Sequence, residues 1–231
     1  IVKHSSNSFN VCLINDESFS KLIPSWSIDL EKLSNPIKVH MRNLGILKLL
    51  YYYGGMVMPN SMILMRDVKP MYDQMINEKG SFVGEFVAND LTSTHTRFFP
   101  SNKFMGTRKK CDKIDFLIKE YENLMKDDST SEIDLQGKLN KLIYKMCKQG
   151  KMHIVSGRLL GTKTKHDEVV VIDDLLQSSY VAFDDELLGI YLPKEDIISR
   201  TKYQWFAALS REELFKCDNI AAKQLIISHG N

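Results

Sequence analysis

The sequence predicts an α/β domain: a mostly parallel sheet flanked by helices, occupying residues 1–231 as a single domain. Three observations carry this. Short apolar runs that suit strands alternate with longer segments whose apolar residues recur at helical spacing. No internal repeat and no linker-like stretch interrupts the alternation. Hydrophobic residues make up 43% of the 231-residue chain and charged residues 26%, enough apolar material for a core of useful size.

Residues 9–14 read as a buried strand that ends at the acidic turn Asn15-Asp16-Glu17, with Cys12 as a small buried hydrophobe. A short helix suits 18–22. Pro36 is placed as a first-turn proline behind an Asn35 cap. The helix it opens carries Ile37, Met41, Leu44, Leu47 and Leu50, then Tyr51-Tyr52-Tyr53. Gly54-Gly55 ends it, the first glycine as a left-handed cap. Residues 56–58 and 62–65 read as extended, separated by Pro59-Asn60-Ser61.

Helices are expected over 70–77, 113–125, 133–148, 194–199 and 212–223. Strands are expected over 82–87, 154–155, 169–172, 180–183 and 189–192. Residues 98–107 read as an irregular loop.

Net charge is +2, from 31 basic and 29 acidic residues, too even to argue for a nucleic-acid partner. The basic run Thr107-Arg108-Lys109-Lys110 reads as a solvated turn. The four cysteines lack zinc-ligand spacing and read as reduced thiols. The longest apolar stretch, 44–58, is interrupted by Lys48 and the glycine pair, so no transmembrane segment is expected. No signal peptide is apparent, and the expected location is cytoplasmic or virion-associated.

The informative segment is 39–70: a buried helix, a Tyr53-Gly54-Gly55 corner, a short apolar strand and a polar triplet. It resembles the GT-A-fold (Rossmann-like) nucleotide-sugar glycosyltransferases of the capsular-polysaccharide-synthesis and mannosyltransferase-type group. The turn at Asp16 and the block Asn102-Lys103-Phe104-Met105-Gly106 are similar to further blocks of that group. The resemblance implies a nucleotide-sugar donor, a glycan acceptor, and a first strand that holds the nucleotide base, which is expected to be missing here before Phe9.

Aligned on the glycines, the group's metal-binding Asp-x-Asp falls on Pro59 and Ser61, and its helical Asp-x-x-Arg on Asn43 and Ile46. A divalent cation on a diphosphate wants carboxylate oxygens, so no metal cofactor is expected. The resemblance then places donor binding on Asn43, Gly54, Gly55, Asn60 and Ser61, with the neighbouring Arg42 as a candidate to compensate for the missing charge. Candidate catalytic acids are Glu85, at the end of a strand, which reads equally as a capping or surface residue, and Glu132 and Asp134, which read first as a helix start.

Three functions follow. The chain transfers sugars without a metal. Or it is a catalytically inactive relative, similar to glycosyltransferase-like proteins of large DNA viruses, that acts in binding or assembly with a protein partner. Or it is a metal-dependent transferase with ligands from elsewhere.

Overall fold

A computed structural model describes residues 1–88, 96–126 and 132–230, and for 132–134 the backbone alone. The structure is mixed α/β. It divides into two compact units, one built from Ile1–Val11, Pro59–Lys69 and Ser156–Asn231, the other from Cys12–Met58 and Pro70–Val155.

The second unit holds a four-stranded sheet in the order β1-β4-β3-β5, made of β1 (Gly55–Val57), β3 (Ser81–Val87), β4 (Phe98–Thr107) and β5 (His153–Val155). Its helices are α2 (Asp16–Leu22), α3 (Ile37–Tyr53), α4 (Lys69–Lys79), α5 (Asp112–Lys126) and α6 (Glu132–Lys148), with one 3₁₀ turn at Leu30–Lys32. Lys69, the first residue of α4, falls in the other unit.

Its main core forms where Leu44, Leu47 and Leu50 of α3 meet Ile114, Leu117 and Tyr121 of α5, Leu135, Leu139 and Ile143 of α6, and Val83 and Met105 of the sheet. These positions recur three or four apart along each helix, which gives each one an apolar stripe to bury. A smaller cluster of Phe19, Ile23 and Leu30 packs under α2 with Trp26, Ile46 and Leu49.

The first unit contains an antiparallel ribbon of β2 (Met62–Leu64) and β6 (Gly189–Tyr191) and the helices α1 (Val2–Ser5), α7 (Ile172–Leu176), α8 (Lys194–Ser199), α9 (Thr201–Ala207), α10 (Arg211–Lys216) and α11 (Ile220–Gly230). Its core joins Val170, Leu175, Leu187 and Ile190 with Ile220 and Ala221 of α11. Among the described residues no helix is long and apolar enough to cross a membrane.

The long helices fall where periodicity places them, but the sheet differs from the expectation of mostly parallel strands. Among the described strands only β3 and β5 pair in parallel; β1–β4, β3–β4 and β2–β6 are antiparallel. Connection length explains the two partners of β3. Residues 88–97 are too few for the helical crossover of a dozen or more residues that parallel neighbours need, whereas β5 follows α5 and α6 and returns parallel.

Residues 98–107, expected as a loop, form β4, the longest described strand. Pro100, Asn102 and Gly106 disguise it, yet nearly every residue is buried. Residues 9–14 are the reverse case. They form no strand, Leu13 is 85% exposed, and Cys12 is exposed rather than buried. Apolar composition raises strand propensity, but a strand exists only where another pairs with it.

Residues 180–183 form no strand, and 169–172 contribute one bridge, Lys163 to Val169, before α7 begins. The helix expected over 212–223 breaks into α10 and α11 around Asn219, whose Oδ1 accepts from the Ala222 amide at 2.8 Å.

Gly54 closes α3 at φ 70° and ψ −155°, its amide donating to Leu50 O at 2.9 Å. This is not the left-handed helical cap expected but a region essentially restricted to glycine. A Cβ there would lie 2.7 Å from the Lys109 amide nitrogen, whereas one at Gly55, φ 85°, meets nothing within 4 Å. Gly54→Ala is therefore expected to cost about 1–3 kcal/mol, and more than Gly55→Ala, measured by denaturant unfolding of both variants.

Candidate functional site

The predicted donor-binding residues fall in both units: Arg42, Asn43, Gly54 and Gly55 in one, Asn60 and Ser61 in the other. Ser61 Oγ donates to Leu192 O at 2.7 Å and its carbonyl accepts from the Leu192 amide, extending the β2–β6 ladder. Its hydroxyl proton thus serves the ribbon. Asn60 is exposed at the turn, where Pro59 O accepts from the Met62 amide at 3.1 Å. Gly54 and Gly55 act through backbone shape, turning the chain from α3 into β1.

Arg42 does not stand free. Its Nε donates to Asp16 Oδ1 at 2.6 Å and its Nη2 to Asp16 Oδ2 at 2.7 Å, a bidentate pair joined by Lys38 at 3.4 Å. Asp16 opens α2 behind Asn15, whose side chain accepts from the Ser18 amide. The Arg42 guanidinium holds the Asp16 carboxyl below its ordinary value near 3.8. An open groove of about 460 Å3 borders the pair, lined also by Ile14, Phe19, Glu31 and Ile46.

Asn43, on the next position of α3, enters a cluster of four carboxamides. Its Nδ2 donates to Gln136 Oε1 at 3.4 Å, and Gln136 Nε2 donates to both Asn102 Oδ1 and Asn140 Oδ1 at 2.9 Å. Asn102 is 6% exposed and Asn140 4%, while Asn43 and Gln136 are half-buried, so the cluster runs from the interior to the surface. Among the described residues Asn43 Oδ1 and Asn102 Nδ2 have no hydrogen-bond partner, one an acceptor and the other a donor.

The sheet register creates this arrangement. Val83 pairs with Met105 but Gly84 with Ser101, so Asn102, Lys103 and Phe104 lack partners on β3. That bulge frees Asn102 to meet Gln136.

Glu85 lies inside β3 rather than after it, half-buried opposite Pro100. It is the first residue beyond the parallel β3–β5 pairing, which ends at Gly84 and Val155. Its strand neighbour Gly84 pairs with Ser101, so Glu85 and the carboxamide cluster share one stretch of the β3–β4 ladder. Glu132 begins α6, as a helix start would; its side chain and that of Asp134 lie outside the described residues.

Sequence reasoning misses Gln136 and Asn140, although their i, i+4 spacing beside Leu135 and Leu139 puts two amides on one helix face. Among the described residues no three His, Cys, Asp or Glu side chains converge in a way that could hold a metal ion.

Comparison with protein-family models, with curated proteins and with solved structures finds no match to the chain.

Gln136→Leu removes the donor shared by two buried oxygens, and is expected to destabilise by about 1–3 kcal/mol. Lys141→Leu, on an exposed position of α6, should change stability by less than about 0.5 kcal/mol. Denaturant unfolding of both variants checks this.

Because the folded Asp16 carboxyl titrates below its unfolded value, its stabilisation is complete above that value and is lost as pH falls through the lower, folded one. Thermal midpoints between pH 5 and pH 3 should fall more steeply for the wild type than for Arg42→Met, which lacks the main cause of the shift.

Proposed function

We propose that the chain is a glycosyltransferase-like protein that binds a nucleotide sugar without a divalent cation. The observation that supports this most is the carboxamide cluster. Asn43 stands where the resemblance expects an aspartate, and it belongs to a network of four uncharged amides with one acceptor and one donor unspent. Amides meet sugar hydroxyls as both donor and acceptor. They do not attract a cation as carboxylates do.

Transfer would move the sugar from its diphosphate to an acceptor hydroxyl. In this reading Glu85, or Glu132 or Asp134 at the start of α6, takes the acceptor proton, since such a group must reach that hydroxyl.

A second reading keeps the fold for binding or assembly alone, as a catalytically inactive relative or virion component. The Arg42–Asp16 pair favours it. A guanidinium already held by two charge-assisted bonds at 2.6 and 2.7 Å supplies little net charge to a departing diphosphate.

Thermal unfolding with a panel of nucleotide sugars, with and without manganese, tests the proposal. A ligand that binds the native state raises the midpoint. The expected result is a rise with one nucleotide sugar that manganese does not increase and that Asn43→Ala reduces. Product formation in the same mixture then assigns a metal-independent transferase, and its absence assigns the binding protein. A rise that requires manganese, or no rise with any member of the panel, overturns the proposal.

A further inference from the structure

We propose that the basic cluster of Lys79, Arg108, Lys109, Lys110 and Lys113 is a docking surface for an anionic glycan, a sugar chain carrying sulfate or carboxylate groups. Only the choice of a glycan rests on the carbohydrate reading above; the anionic chemistry rests on the surface itself.

Three elements meet there. Lys79 ends α4, Arg108 to Lys110 form the turn from β4 to α5, and Lys113 lies in the first turn of α5. The backbone beneath is fastened at several points. The Arg108 amide donates to Gly80 O at 3.0 Å, the Lys110 amide to Tyr51 O at 2.7 Å, and Thr107 Oγ1 to Gly80 O at 3.2 Å. Lys113 Nζ donates to Lys79 O, tying the start of α5 to the end of α4. The Arg108 side chain lies along Gly80, where an added Cβ would meet its Nε at 3.2 Å. The turn is thus preordered, which lowers the entropy that binding must overcome.

The cations of this turn are unspent. Arg108, Lys109 and Lys110 are exposed, and among the described residues none has an ion pair or hydrogen bond through its side chain. Elsewhere the pattern differs: Lys21, Lys32, Lys48, Lys119, Arg200 and Lys202 each contact a carboxylate. The nearby acid Glu78 lies 2.8 Å from His153 Nε2.

A local excess of unpaired cations attracts anions. The chain as a whole is close to neutral, with 31 basic against 29 acidic residues, so it lacks the broad positive field typical of nucleic-acid binders. The turn 108–110 carries no apolar residue to insert into a bilayer. A sulfated or carboxylated sugar chain, whose anionic groups can pair one by one with this compact patch, fits it better than either.

The test is retention of the full chain on immobilised heparin, with affinity measured against salt. One variant combines Arg108→Gln, Lys109→Gln and Lys110→Asn; asparagine suits the positive φ of 54° at Lys110. A control combines Lys21→Gln, Lys32→Gln and Lys216→Gln and removes the same charge elsewhere. Both are checked for an unchanged thermal midpoint.

The wild type and control should elute together and the turn variant at lower salt. Its slope of log Kd against log salt should fall by about two to three, one counterion or slightly less per lost contact. Equal elution of all three proteins, or equal weakening by the control, overturns the proposal. So does binding of polyuridylate or phosphatidylserine vesicles more tightly than heparin at the same ionic strength, which assigns the surface to another partner. The nucleotide-sugar shift is read on the same proteins. Its failure with heparin binding intact sinks the donor reading and leaves the anion-binding surface standing.

Discussion

The second unit depends on how β4 pairs with β3. Past Met105 the ladder shifts, and three residues of β4 have no opposite number before Ser101 meets Gly84. A bulge of this kind bends a strand and re-aims a side chain. Here Phe104 is fully buried, and Asn102 is brought to Gln136. A regular ladder would leave the carboxamide cluster without one of its members. The same strand ends at Thr107, whose hydroxyl and following turn bind Gly80 and whose neighbouring backbone crowds Gly54. One strand thus links the polar cluster at its middle to the basic turn at its end.

The cluster is held by geometry and carries no charge. A carboxylate at position 43 beside Gln136 would accept a hydrogen bond but would bring a charge into a half-buried site. An asparagine donates to Gln136 and keeps the site neutral, and Gln136 Nε2 donates hydrogen bonds to two deeply buried oxygens. The four amides link to one another because each both donates and accepts, and one acceptor and one donor stay unspent. Arg42, one residue earlier on α3, turns instead to Asp16. Consecutive helical positions diverge by about 100°, so the charged pair and the neutral cluster occupy different sides of the same helix.

The parts of the fold legible in the chain are those governed by local physics. The helices α3, α5 and α6 announce themselves because an apolar stripe at helical spacing can be buried only one way. The Gly-Gly corner is legible because few residues but glycine adopt the backbone at position 54. Asn43 is marked by its place on α3, but its partners are not. Gln136 lies 93 positions along the chain, and nothing local to either residue connects them. Residues 98–107 and 9–14 mislead in opposite senses. The segment 98–107 is polar and broken in composition yet is buried in a sheet. The segment 9–14 is apolar and strand-like in composition yet forms no strand.

Sequence by itself determined the α/β class, the long helices and the neutral residues at positions 43, 59 and 61, because these depend on residue type and short-range period. The tertiary structure alone decided strand direction, the bulge that delivers Asn102, the pairing of Arg42 with Asp16 and the convergence of Lys79 with the 108–110 turn. Each of these joins residues distant in sequence, and hydrogen bonds and charges act only across the short distances that folding creates.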